Sequence, residues 1–230
     1  MVVEDITGGI KVVKRKSLRE VVYESLRKTI LHGKLKAGQR LIEETLAHQI
    51  GISRTPVREA FYKLERDDLV YRLSKGGFAV KEFTKEDVEE IFGIRSALES
   101  YAAYLATQHI TPDKISALEK KIEESENALK RREEEKVVQA HTDFHDILYK
   151  SCKSKKLIEM INNFRDYFYR YRSALLRTEE GFNDSIKGHR QMLEAMKKKN
   201  PSLVEKLVRQ HLLRGKELIF KEIDEGRITP

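Results

Sequence analysis

The chain has 230 residues, 40% hydrophobic and 36% charged, with a formal net charge of +8. That length exceeds the roughly 100–200 residues of one ordinary domain, so two modest domains are expected, and the composition suits a soluble, mainly helical protein. A single cysteine excludes a disulfide scaffold, and no apolar run approaches the ~20 residues of a membrane span or the core of a signal peptide, so a cytoplasmic protein with no membrane partner is expected.

The charge is uneven. Residues 1–82 carry 17 Lys/Arg against 11 Asp/Glu, whereas residues 83–230 carry 28 against 26. A basic excess in one small region suits a polyanionic partner and equally suits a solvated surface.

Residues 1–16, with a Gly-Gly pair and a basic cluster, read as a flexible arm. A helix follows, with Leu18, Val22, Leu26 and Ile30 at every fourth position and "HGKLKAG" as its stop. A short helix through "EETLAHQIG" ends at Gly51. The next begins near Arg54, with Ser53 as N-cap and Val57, Phe61 and Leu64 as its core face. "LVYRLSKGGFAVKEF" then places branched and aromatic residues around a Lys75-Gly76-Gly77 turn, the pattern of a β-hairpin. Three helices and a hairpin over residues 17–82 make a winged helix-turn-helix. In that fold the first turn of the second motif helix faces the major groove, which accounts for the polarity of Ser53, Arg54 and Thr55. Arg54 and Arg58 share a face and have the fork that matches guanine; Ser53, Thr55 and the free helix N–H groups suit phosphate. The same residues also suit an N-capped surface helix whose arginines pair with Glu59 or Glu65.

"GKLKAGQRLIEETLAHQIGISRTPVREAFYKLERDDLV", followed by "SKGGFAV", resembles the N-terminal domain of the GntR family of bacterial transcription regulators. The resemblance implies double-stranded DNA as partner, with contacts from Ser53, Arg54, Thr55 and Arg58 and from Lys75, Gly76 and Gly77 of the wing. Glu44 departs from the arginine that some members place on DNA, which bears on operator preference.

From about Thr84 the sequence reads as helices alone. Thr84 is an N-cap with an acidic turn after it, and further periodic segments lie near 111–132, 134–151, 155–178, 182–199 and 201–225. Six helices over residues 84–230 make an all-α bundle, with no phosphate-binding loop and no nucleophile motif. Of seven histidines, His141, His145, His189 and His211 lie on helices beside apolar residues. His141 and His145, four apart, can share one cation, and His189 and His211 can join them from two further helices; four core histidines are the alternative. His32, His48 and His109 show no such arrangement.

"AHTDFHDIL" and "GHRQMLEAMKKKNPSLVEKLVRQHL" resemble the metal-binding motifs of the FCD effector domain, the helical C-terminal half of one GntR subfamily. That family commonly uses Asp, His, His and His, and here His141 stands at the Asp position. A wholly imidazole set of His141, His145, His189 and His211 favours Zn²⁺, Ni²⁺ or Cu²⁺ over harder ions. The resemblance also implies a small carboxylate or sugar-acid effector beside the metal, contacted by Arg95. Arg95 otherwise pairs with Glu99 at i+4. Tyr171 and Arg172 are further pocket candidates, which otherwise read as core and surface.

These readings together describe a ligand-responsive repressor acting as a homodimer on a palindromic operator. A metal-dependent hydrolase fused to a DNA-binding domain would need a general base near the metal, and Asp143 lies off the histidine face. A direct metal sensor is a further alternative, and a purely structural nucleoid protein leaves the histidines unexplained.

Overall fold

The computed structural model describes residues 16–228; the arm predicted for residues 1–16 lies almost wholly outside them. Two compact units form, one up to Ile30 and over Leu35–Lys81, the other over Leu31–Lys34 and from Glu82 onward.

In the first unit, α1 (Leu18–Leu31), α2 (Glu43–Ile50) and α3 (Arg54–Arg66) accompany a sheet of β1 (Arg40–Leu41), β2 (Val70–Arg72) and β3 (Phe78–Val80). The strand order is β1-β3-β2, antiparallel throughout, with Arg40 opposite Ala79 and Val70 opposite Val80. The hairpin is the predicted one, and β1 adds a third strand that two residues were too short to announce. Val57, Phe61 and Leu64 are fully buried as predicted, and Phe61 packs on Phe78 with ring centroids 5.1 Å apart. Leu18, the first of the apolar residues at every fourth position in α1, is 59% exposed. It opens the helix, where the every-fourth-residue stripe has drifted off the core, since 3.6 residues make a turn. Gly51 stops α2 in the left-handed region, at φ 70°, and Ile52 N–H closes the turn on Ala47 O at 3.1 Å.

The second unit contains α4 (Lys85–His109), α5 (Pro112–Lys130), α6 (Glu134–Lys150), α7 (Lys155–Arg177), α8 (Glu179–Lys197) and α9 (Pro201–Asp224). All six predicted segments are helices. Thr84 and Asp87 form a reciprocal capping box at the start of α4. The main core gathers Leu118, Ile122, Phe144, Leu148, Met192 and Val208 from α5, α6, α8 and α9. A second cluster, with Phe92, Phe168, Tyr171, Leu218 and Ile219, joins α4, α7 and α9. Thr178 alone separates α7 from α8 and caps α8 by accepting from Gly181 N–H at 3.1 Å. A Cβ on Gly181 would stand 2.4 Å from Leu175 O, so this corner requires glycine. No described helix is long and apolar enough to cross a membrane.

Candidate metal centre and DNA-facing helix

At the start of α3, Ser53, Arg54, Thr55 and Arg58 are all exposed and the first turn carries no acidic residue. Ser53 occupies the N-cap position in extended conformation, and its side chain makes no cap hydrogen bond. Arg54 meets Glu43 at 4.0 Å. The pairing of Arg54 and Arg58 with Glu59 or Glu65 does not form, because Glu59 meets Arg19 and Glu65 meets Arg72. The helix therefore presents exposed guanidiniums and free N–H groups at its positive end, the arrangement that attracts phosphate. Gly76 and Gly77 both have φ 83°, and Arg40 of β1 donates to Lys75 O at 3.2 Å and to Gly76 O at 3.0 Å. The third strand thus fixes the wing tip.

In the helical unit, α6 supplies His141 and His145, α8 supplies His189 and α9 supplies His211. One ring nitrogen from each lies within 4.8 Å of all the others. His145 Nε2 and His189 Nε2 face each other at 3.2 Å. The edge of a tetrahedron built on Zn–N bonds of ~2.0–2.1 Å is about 3.3 Å, so the spacing of this hydrogen-bonded pair also suits two ligands of one ion. Phe144 stacks on the His189 ring at 4.0 Å and holds its plane. Gly188 leaves the space that the His211 ring fills, since a Cβ there would stand 2.8 Å from His211 Nδ1.

Burial sets the electrostatics. Desolvation, followed by the neighbouring charged forms, holds His141, His145 and His189 well below the usual imidazole range, and desolvation lowers His211 to about 4. Neutral imidazole is the ligating form.

Arg95, expected either on an effector or on Glu99, donates from Nε to Glu99 Oε1 at 2.7 Å, and its Nη1 is left without a hydrogen-bond partner. Both readings of this residue therefore remain physically available at once. Arg172 does not lie on the surface as its alternative reading had it. It is buried, donates from Nη1 to Thr142 Oγ1 at 2.8 Å, and burial, then Arg95, lowers its guanidinium to about 10. Tyr171 is core, packed among Phe92, Phe168 and Leu218, and is not part of the cavity wall.

A cavity of ≈ 30 Å³, walled by α4, α6, α7, α8 and α9, joins Arg95, Arg172, Ser185, His141, His145 and His211. Six buried side-chain polar groups of the described residues lack a hydrogen-bond partner, and five of them line this one cavity: Arg95 Nη1, Arg172 Nε, Ser185 Oγ, His141 Nδ1 and His211 Nδ1. Orphaned polar atoms are costly and normally scattered and few. Concentrated here, with donors for an anion beside bases for a cation, they fit a metal and an anionic ligand. Asp143 lies outside the wall, paired with Lys121 at 3.0 Å and Gln139 at 2.7 Å, so it offers no general base to a hydrolase.

Comparison with known proteins agrees with both units. The family described as bacterial regulatory proteins, gntR family, matches residues 18–80, and the FCD domain matches residues 90–214. The HTH-type transcriptional regulator YdhC of Bacillus subtilis is 30% identical over 206 residues, 89% of this chain and 92% of that one. The HTH-type transcriptional regulator McbR of Escherichia coli is 33% identical over 66% of this chain and 69% of its own, and the repressor RspR of the same organism 25% identical over 85% and 86%. The solved structure of E. coli McbR/YncC superposes with a TM-score of 0.70 at 26% identity, covering 90% of this chain and 99% of that one.

Proposed function

This chain belongs to the GntR family of bacterial regulatory proteins, in the branch that carries an FCD domain, and from that membership we propose a repressor whose hold on DNA responds to a small carboxylate bound at a metal. That the chain is a transcriptional regulator and not an enzyme follows from its family and its relatives. The metal, the effector and the sign of regulation are the further reading.

In this reading two protomers place Ser53, Arg54, Thr55 and Arg58 in successive major grooves of a palindromic operator. Lys75, Gly76 and Gly77 approach the adjacent minor groove. The helical region from residue 84 carries the dimer contact, and the protein acts in the cytoplasm, where the chromosome is. His141, His145, His189 and His211 hold one divalent ion, Zn²⁺ or Ni²⁺ by the softness of the donors. The ion would supply Lewis-acid attraction for a carboxylate, and the free edges of Arg95 and Arg172 orient it. Four neutral imidazoles leave the ion's charge uncancelled, so a negative ligand is favoured. DNA affinity changes only in so far as the ligand binds one arrangement of the dimer better than another.

The observation that carries the reading is the gathering of orphaned donors and acceptors around one cavity. Its ≈ 30 Å³ is room for about one or two waters. That size also favours a second reading, a regulator answering to the metal alone. Fluorescence anisotropy on duplexes from the regulator's own promoter region separates the two. With zinc loaded, acetate or citrate should shift DNA affinity in the wild type and not in Arg172→Ala. A response to zinc but to none of a panel of carboxylates selects the metal sensor. Equal zinc content in wild type and His189→Ala overturns both.

A further inference from the structure

Behind the histidines runs a chain of hydrogen bonds whose direction can be worked out proton by proton. Arg95 Nε donates to Glu99 Oε1 at 2.7 Å, a buried ion pair almost wholly out of water. A carboxylate only accepts. Tyr149 Oη lies 2.6 Å from Glu99 Oε2 and therefore spends its single proton there. With that proton committed, Tyr149 Oη can only accept from its other neighbour, His145 Nδ1, at 3.1 Å. The imidazole must then carry its hydrogen on Nδ1, and Nε2, the atom facing His189 Nε2, presents a lone pair.

We propose that Glu99 and Tyr149 are positioning residues for the metal: they lock His145 in the tautomer whose Nε2 points into the histidine cluster ready to ligate. Fixing a ligand imidazole through its remote nitrogen is the role a carboxylate or carbonyl plays around metal sites generally. Here the tyrosine hydroxyl stands between, and the carboxylate is anchored by the same Arg95 whose Nη1 opens on the cavity. The relay therefore ties the anion-facing guanidinium to a metal-facing nitrogen through four groups, Arg95, Glu99, Tyr149 and His145. None of the four was linked to another by sequence except the Arg95–Glu99 pair.

The inference rests on the metal reading but is tested apart from it. In metal-free full-length protein, ¹⁵N-resolved NMR of the histidine rings should find His145 protonated at Nδ1. Glu99→Gln keeps the shape and reverses the logic. With Arg95 still donating to the amide oxygen, the amide nitrogen faces Tyr149 and can only donate, so the hydroxyl must turn to His145 Nδ1 and the ring proton must move to Nε2. Tyr149→Phe merely frees the ring to choose. Zinc affinity, read by competition with a chromophoric chelator, should accordingly fall about 10-fold in Tyr149→Phe and on the order of 100-fold in Glu99→Gln. The visible spectrum of bound Co²⁺ should change in both. A loss of shape alone would rank the variants the other way, because Tyr149→Phe deletes an atom and Glu99→Gln deletes none. An Nε2–H tautomer in the wild type, or zinc affinities within twofold of wild type in both variants, overturns the relay. Zinc retained by His189→Ala overturns the metal reading beneath it, whatever the tautomer proves to be.

Discussion

With no metal bound, this protein should lose stability as the pH falls through a window where ordinary acid denaturation has not begun. In the unfolded chain an imidazole takes up its proton near 6.5, whereas burial holds His211 at about 4 in the folded protein. Although the residue as a whole is only partly covered, its Nδ1 is fully enclosed, so the lowering is a true desolvation effect. Between the two values the unfolded chain binds the proton and the folded chain does not. Stability is therefore complete above about 6.5 and is lost as the pH falls toward 4. At about 1.4 kcal/mol per pH unit, His211 alone accounts for about 2 kcal/mol of the loss by pH 5 and about 3 kcal/mol by pH 4. His141, His145 and His189 are lowered for the same reason and push the same way. Against a typical domain stability of ~5–15 kcal/mol this is a large fraction. Urea unfolding followed by helical circular dichroism, in chelator at pH 7.5, 6.5, 5.5 and 5, measures it, with His211→Gln as the reference that lacks one titrating ring. Surface carboxylates held low by ion pairs, such as Glu20, Glu180 and Glu222, lose their contribution only below about 4.5 and do not obscure the window. A metal-free stability that stays flat from pH 7 to 5 would refute the claim that burial keeps these rings neutral.

Arg54→Ala and Arg58→Ala should each cost about 1–3 kcal/mol on a specific operator, read by gel shift at fixed salt, and normal binding in both would remove α3 from the DNA. Gly77→Ala should weaken DNA binding while leaving metal content unchanged, because a Cβ there would sit 2.8 Å from Leu41 O at a φ of 83°; unaltered DNA affinity would separate the wing from recognition. A fragment of residues 84–230 should sediment as a dimer at micromolar concentration, and a monomer would move the dimer contact to the N-terminal unit.

The elements legible in the sequence were those whose signal is local. Helix periods, the Thr84 cap, the stop at Gly51 and the glycine-tipped hairpin each depend on residues within one turn or two. The histidines were legible as well, because i,i+4 spacing fixes one pair and the apolar neighbours of His189 and His211 turn those rings inward. What escaped was set by contacts distant in the chain. β1 exists because two residues pair with β3 some 38 positions later. Arg172 looked like surface because it lies in a stretch dense in arginine and tyrosine, and only the folding of α7 against α6 turns it onto Thr142. Tyr149 and Glu99, 50 residues apart, carry no motif at all. A tyrosine four residues after a histidine was the single cue that joined His145 to Tyr149, and that spacing is too common to weigh. The unused N-cap hydroxyl of Ser53 shows the opposite case, a correct position whose usual bond is left unmade.

Gly188 sets a limit on how this protein can be improved. A glycine inside a helix costs about 1 kcal/mol relative to alanine, and the routine way to harden such a protein is to replace it. At Gly93 in α4 that remedy is open, since an added methyl meets nothing within 4 Å. At Gly188 the same methyl would press on His211 from behind, and a ring so displaced would no longer converge with the other three. Helix α8 is thus held below its attainable stability by the fourth histidine, and a programme that selects for heat resistance alone should drift toward a sturdier protein whose four histidines no longer meet.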